Sequence, residues 1–249
     1  MFSRTISLLG EEQFTKLQNS KICVVGVGGV GGAVCEVLAR TGAKNLTLID
    51  GDVVSVSNLN RQIFTTQENI GKPKVEEMKK RILSISPTAK IETIFKFLSL
   101  DNIAETLTNK YDYVIDCIDD IKAKVALICF CKAQNINIIS AMGAGNRRGL
   151  PSFEVVDIFK TSYDPLAKVI RKKLREENID VLDVCISNTE VDQKLSPPAS
   201  VMWQPLTAGA VIASFVINKI CAMPSPSSSR SNAPCNMTSP VFVSSLSLW

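Results

Sequence analysis

The stretch KICVVGVGGVGGAVCEVLARTGAKNLTLID (21–50) decides the fold. KICVVG (21–26) is a short apolar run rich in β-branched residues and reads as a buried strand. Gly26, Gly28, Gly29 and Gly31 then fit the spacing G-x-G-x-x-G and open a helix over Val30–Thr41. NLTLID (45–50) is the next strand. Glycines at these positions let the chain turn tightly and let a phosphate or ribose approach the helix N-terminus, whose free N–H groups favour anions. Asp50 closes the second strand 19 residues after Gly31, where a carboxylate can accept both hydroxyls of a ribose. The pattern points to a nucleotide, the bland alternative being a tight βα turn. It does not separate NAD from ATP.

Outward from this unit the same alternation continues. A helix is expected over Lys74–Ile85, with Val75, Met78, Ile82 and Ile85 on its apolar face, and KIETIF (90–95) alternates with period two. Runs at 112–116 and 136–140 read as buried strands, with a helix from about Lys122 to Gln134 between them. SFEVVDI (152–158) follows, then a helix at 164–177, a loop, and an apolar helix at 206–220. The expected class is α/β: a Rossmann-like, doubly wound, mainly parallel sheet with a C-terminal α+β extension. The last 28 residues hold nine Ser, four Pro and Arg230 as their one charge. They read as a flexible tail (222–249) beyond one catalytic domain (1–221).

Composition excludes several chemistries. The chain has 249 residues, 45% hydrophobic and 21% charged, enough for one domain with a sizeable core. With no histidine, an imidazole base, a Ser-His triad and a His-ligated zinc are all ruled out. No two of the eight cysteines are spaced Cys-x-x-Cys, so no zinc is expected and the thiols read as reduced. The opening MFSRTISLLGEEQF has no signal-peptide core, and its two glutamates fit a transit peptide poorly. A cytoplasmic protein is expected, with mitochondrial association as the weaker alternative. No transmembrane segment is expected either, because the nearest apolar run, Leu206–Ile217, is short and meets Asn218-Lys219.

Two further segments favour ATP over NAD: Asn58-Leu59-Asn60-Arg61-Gln62 and Gly71-Lys72-Pro73-Lys74. Hydride transfer leaves its cofactor's phosphates intact and has little use for added cations. When a carboxylate attacks an α-phosphate, nucleophile and electrophile are both anionic and pyrophosphate leaves with more charge. Fixed cations and a metal must offset that repulsion. Asp119, three residues past Asp116, lies at the carboxyl edge of the sheet where such a metal would sit. Read singly, Arg61 and Lys74 could be solvated surface charges and Asp119 a helix N-cap.

GVGGVG, LIDGD, NLNRQ, GKPK and DCIDD, in this order, resemble the ubiquitin-activating-type, ATP-dependent adenylyltransferases, a superfamily that includes the molybdopterin- and thiamine-biosynthesis activators. The resemblance implies ATP and Mg²⁺ as cofactors. By it, Asp50 with neighbouring Asp52 holds the ribose end, Asn58, Arg61 and Lys74 contact phosphates, and Asp119 binds Mg²⁺. Arg4 falls where some members carry an arginine that reaches the partner's ATP in a homodimer. The segment from Ser140 to Ile179, followed by QPLTAGAVIASFVI, looks like the tRNA threonylcarbamoyladenosine dehydratase branch. That branch uses ATP to activate a carboxyl on a tRNA adenosine beside the anticodon and closes it into a ring. Gly149-Leu150-Pro151-Ser152 stands where the branch has Asp-Pro-Thr, and Asp183–Pro198 matches only loosely, so Cys185 receives no role.

The charge pattern of the second half points to the same partner. Arg147, Arg148, Lys160, Lys168, Arg171, Lys172, Lys173 and Arg175 face only Glu154, Asp157 and Asp164 between 146 and 175. In the helix starting near Asp164-Pro165, Leu166, Val169, Ile170 and Leu174 form an expected apolar face. Lys168, Arg171, Lys172 and Arg175 form a basic one suited to a phosphate backbone. The partners expected are therefore tRNA and a second copy of the chain, with no sulfur-relay protein identified. The alternatives are an activator of a ubiquitin-like or sulfur-carrier protein, which the missing Cys-x-x-Cys pairs disfavour, and a non-catalytic tRNA-binding or nucleotide-sensing module. A dehydrogenase has no hydride-acceptor site to point to.

Overall fold

The computed structural model describes residues 1–221 except 163, 193, 194, 196 and 197, so the expected tail lies outside the described residues. Seven strands form one sheet in the order β3-β2-β1-β4-β5-β7-β6. They are β1 (Lys21–Val25), β2 (Asn45–Ile49), β3 (Lys90–Ile94), β4 (Tyr113–Asp116), β5 (Ile138–Ala141), β6 (Phe153–Asp157) and β7 (Asp183–Ser187). All neighbours pair in parallel except β6 and β7. The helices are α1 (Ser3–Leu9), α2 (Glu11–Asn19), α3 (Gly29–Thr41), α4 (Lys74–Ile85), α5 (Ile103–Thr106), α6 (Ile121–Ala133), α7 (Pro165–Glu176) and α8 (Trp203–Cys221). The expected C-terminal extension is thus a continuation of the sheet, with β7 inserted between β5 and the antiparallel edge strand β6.

Alternation along each strand divides the core between two faces. Ile22, Val24, Leu46, Leu48, Ile115 and Ile139 join Leu38, Met78, Ile212 and Val216 on one side. Cys23, Val25, Ile49, Val114 and Val184 join Leu127, Ile128, Ile170 and Leu174 on the other. The described cysteines are free thiols inside or beside these layers. Burial pushes the Cys185 thiol up to about 12, which makes it a poor nucleophile.

One expectation changes, and the N-terminal segment gains a structure the sequence reading did not assign. Ser3–Leu9 and Glu11–Asn19 form two helices, and Phe14 and Leu17 of the second are buried in the domain. The apolar helix expected at 206–220 reaches 19 residues, long and apolar enough to cross a membrane by length and composition, and about half of it is buried within the domain. Gly209 is where it meets α3: a Cβ there would lie 2.5 Å from Ala33 Cβ and 2.7 Å from the Val30 carbonyl oxygen. Gly209→Val is therefore expected to lower stability by about 3 kcal/mol, read as a reduced denaturant midpoint.

Candidate active site

The chain order reverses between β1 and β4, so the carboxyl ends of these strands border the topological switch point where ligands of doubly wound sheets bind. The turn after β1 is shaped by close approaches. Gly26 has φ +87°, and a Cβ on it would lie 2.6 Å from the Cys117 carbonyl oxygen of the neighbouring turn. A Cβ on Gly31 would lie 1.8 Å from the Gly26 oxygen, while on Gly29 it would press Pro205 at 3.0 Å. Gly28 differs: its nearest neighbour would be Gln62 Nε2 at 3.8 Å, so this glycine leaves room above the start of α3. No side chain caps α3, and its first N–H groups are left for an anion.

Asp50 stands beside this turn. Its Oδ2 accepts a hydrogen bond from Val27 N at 2.6 Å and its Oδ1 one from Asp52 N at 2.8 Å. Burial pushes its carboxyl above the ordinary carboxylate range, against the pull of the two N–H bonds and of Lys74. Lys74, the first residue of α4, is nearly buried and pairs with Asp52 at 2.7 Å. The segments carrying them are laced together, since Gly71 N donates to the Val54 oxygen at 2.8 Å and Lys74 N to the Asp52 oxygen at 3.0 Å. The alternative reading of Lys74, a solvated surface charge, fails on this burial.

Asn58 and Arg61 lie on a turn that packs over the glycines, with the Arg61 oxygen 3.6 Å from the position a Gly29 Cβ would take. Asn58 is buried and spends its side-chain oxygen on Ser55 N at 3.0 Å. Arg61 is half-buried, and one terminal nitrogen donates to the Ser57 oxygen at 2.6 Å and to Asn60 Oδ1 at 3.0 Å. This tether fixes the guanidinium and leaves its other donors for a ligand.

The turn after β4 settles the alternative reading of Asp119. The N-cap of α6 is Asp120, whose Oδ1 accepts from Ala123 N at 2.8 Å. Asp119 is exposed, with no hydrogen bond or ion pair among the described residues. Below this turn is a feature the sequence reading missed. Asp116 and Lys124, both fully buried, pair at 2.7 Å. Lys124 also donates to the Ala141 oxygen at 3.1 Å, and Asp116 Oδ1 accepts from Ile118 N at 3.0 Å. A lysine inside the apolar run IKAKVALICFC, eight residues after an aspartate ending an apolar strand, was the available signal.

The structure gathers the glycine turn, Asp50, Asp52, Lys74, Arg61 and Asp119 along one sheet edge. Arg4 is exposed on α1, and no described hydrogen bond or ion pair ties it to that edge. The basic residues of the second half do not form one surface. Lys160, Lys168, Lys172 and Arg175 are exposed. Arg148 pairs with Asp192 at 3.2 Å. Arg171 folds back onto the Thr161 oxygen at 2.9 Å and onto the Thr161 hydroxyl. Arg147 is only 6% exposed and is no part of the outer basic face. Val169, expected in the core, is 41% exposed, and Ala167 takes its place beside Ile170 and Leu174. Among the described residues no group of three metal-ligating side chains occurs. A cleft of about 640 Å³ at the amino-terminal sheet edge, lined by Glu12, Lys16, Asp112 and Ile220, shares none of these groups.

Comparison with known proteins places this geometry. The ThiF family model matches residues 2–155. The tRNA threonylcarbamoyladenosine dehydratase of Escherichia coli (strain K12) is 40% identical over 176 residues, which cover 71% of this chain but only 66% of that protein's length. The protein of the same name from Bacillus subtilis (strain 168) is 35% identical over 235 residues, 87% of this chain and 92% of its own. The crystal structure of the E. coli dehydratase in complex with ATP superposes with a TM-score of 0.84 at 34% identity, covering 89% of this chain and 93% of that one. The family match, the identity over nearly the whole length of the Bacillus subtilis protein and the superposition agree, and the chain belongs to the ThiF family, in the branch of the tRNA threonylcarbamoyladenosine dehydratases.

Proposed function

We propose that this chain is an ATP-dependent tRNA-modifying enzyme that dehydrates threonylcarbamoyladenosine by adenylating its carboxylate. The observation that carries the reading is the convergence of an uncapped helix N-terminus, Asp50, Arg61, Lys74 and an exposed Asp119 at one switch point. The α3 amides and the opening at Gly28 receive phosphate, and Asp50 has lone pairs left for ribose hydroxyls. Arg61 and Lys74 offset the charge that builds as the substrate carboxylate attacks the α-phosphate. An oxygen–phosphorus bond forms, the bond to pyrophosphate breaks, and pyrophosphate leaves. A nitrogen or oxygen of the same modification then attacks the activated carboxyl carbon, AMP departs, and a proton passes to solvent. The nucleophile is built into the substrate, in keeping with a chain that has no histidine and whose Cys185 is buried.

Mg²⁺ fits Asp119, an exposed carboxylate spared from helix capping; bound there, it would supply charge neutralisation at the phosphates. Asp119→Asn is expected to raise the Mg²⁺ concentration needed for half-maximal turnover at least about 10-fold, with ATP-free thermal stability unchanged. Exposed Lys168, Lys172 and Arg175 make the tRNA-facing surface, and Arg4 extends toward the site of a second copy in a homodimer. Incubation with ATP, Mg²⁺ and tRNA bearing the modification should yield a nucleoside lighter by one water. Pyrophosphate exchange stimulated by a carrier protein with a Gly-Gly tail, and not by tRNA, would replace this reading with activation of that carrier.

A further inference from the structure

The guanidinium of Arg61 is aimed by a residue that is itself held from a distant part of the chain. The backbone around it is rigid: Asn58 Oδ1 accepts from Ser55 N at 3.0 Å, and Arg61 N and Gln62 N both donate to the Asn58 oxygen, at 3.1 and 3.0 Å. The freedom that remains is in the long side chain. One terminal nitrogen spends both hydrogens, on the Ser57 oxygen at 2.6 Å and on Asn60 Oδ1 at 3.0 Å. Its Nε and second terminal nitrogen are left without a partner among the described residues, ready to donate to a ligand. A single acceptor would let the guanidinium swing about that bond; two acceptors at one nitrogen fix its plane. Asn60 is exposed, and its own side chain would be mobile without a second tie. That tie is its Nδ2, which donates to the Ser200 oxygen at 3.0 Å across 140 positions of sequence.

Ser200 is a fixed point because the chain is clasped on both sides of it. Asn146 N donates to the Ala199 oxygen at 2.7 Å, and Ala199 N donates to Asn146 Oδ1 at 2.8 Å. Asn146 holds φ +60°, a left-handed conformation that asparagine adopts more readily than most residues. Gly145 lets the two segments touch, since a Cβ on it would lie 3.1 Å from Pro198 Cβ and 3.2 Å from the Ala199 oxygen. On the other side α8 begins. Its Gln204, fully buried, donates from Nε2 to the Gly149 oxygen at 2.9 Å, and Pro205 Cβ lies 3.0 Å from the position a Gly29 Cβ would take. The segment 142–149, which carries Arg147, and the start of α8 thus hold Ser200 in register with the glycine turn. We propose that Asn60 is a positioning residue of the adenylation step: it passes this register to Arg61, so that the free edge of the guanidinium meets the phosphates without reorganising. This rests on the proposed reaction, in which Arg61 offsets charge at the α-phosphate. Among side chains of this length only an amide does both jobs, with an oxygen that accepts from Arg61 and a nitrogen that donates to Ser200.

The test is a double-mutant cycle on single-turnover pyrophosphate release by the full chain, with ATP, Mg²⁺ and tRNA bearing the threonylcarbamoyl group. Asn60→Ala should slow release about 10-fold, as expected for one hydrogen bond to a charged group, while Tm and the tRNA concentration for half-maximal rate stay as in the wild type. In an Arg61→Ala background the same substitution should change the rate by less than about 2-fold, because no guanidinium is left to aim. A merely structural role would lower Tm and cost the same in both backgrounds. Direct contact of Asn60 with ATP or tRNA would also persist without Arg61. Either result overturns the relay, as does an unchanged rate in Asn60→Ala with Arg61 present, and all three leave the dehydratase reading intact. No pyrophosphate from the wild type overturns that reading instead. The same cycle read on the Kd for ATP then decides the relay, with a loss expected from Asn60→Ala only where Arg61 is present.

Discussion

Arg61→Ala should lose about 10³-fold in turnover while its Tm stays near that of the wild type. The side chain is half-exposed and tied only to the Ser57 oxygen and to Asn60 Oδ1, so truncation removes two partly solvated hydrogen bonds from the folded state. On the proposed mechanism it also removes from the transition state a fixed cation beside three anionic groups, where preorganised charge has its greatest effect. From sequence, Lys74→Ala would behave in the same way. The structure separates the two, because Lys74 is 6% exposed and pairs with Asp52. Its truncation empties part of the space at the start of α4, so a comparable loss of turnover should come with a lowered Tm. Single-turnover release of pyrophosphate, set beside thermal unfolding of each variant, measures both. Near-normal pyrophosphate release in both variants would falsify the charge-neutralisation mechanism.

Lys124→Met should lower the free energy of unfolding by about 3–5 kcal/mol, because it leaves the fully buried Asp116 carboxylate without its counter-charge. The pair costs desolvation on both sides, so its presence does not by itself stabilise the fold; breaking it does the damage. Adding Asp116→Asn removes the stranded charge and keeps an oxygen for Ile118 N, and this double variant should recover most of the loss. Urea unfolding of Lys124→Met, Asp116→Asn and the double variant reads the coupling. If the single and double variants are equally destabilised, the carboxylate is not the source of the cost. The pair also bears on the site: it joins the end of β4, the first turn of α6 and the end of β5, the elements from which the Asp119 turn and the Arg147 segment emerge.

Asp50 and the glycines were legible because both obey short-range rules. Spacing within one βαβ unit dictates where a tight turn and the end of the next strand must fall, and only backbone geometry and local hydrogen bonds decide it. The basic helix shows where such reasoning stops. A helical wheel assigns Val169 to the apolar face, but which arc of α7 is buried depends on how it lies against α6 and β7, and Ala167 proved to be the inward residue. Charge alone grouped Arg147, Arg171 and Arg175 together. Tertiary contacts scattered them, one into the interior, one onto its own preceding turn, and one over the ring of Phe159 at 5.6 Å.

By itself, then, the sequence determined the strand–turn–helix grammar, the glycine turn with Asp50 beside it at the carboxyl edge of the sheet, and the chemistries that a chain without histidine excludes, all consequences of local periodicity and residue type. Only the tertiary structure decided which charges are paired, buried or free: Lys74 against Asp52, Lys124 against Asp116, Asp120 rather than Asp119 at the helix cap. It also decided the insertion of β7 between β5 and β6. The physical reason is common to all of these. A charge's partner and a strand's neighbour are contacts between distant parts of the chain, and the balance of desolvation against pairing that selects them exists only once the sheet has assembled.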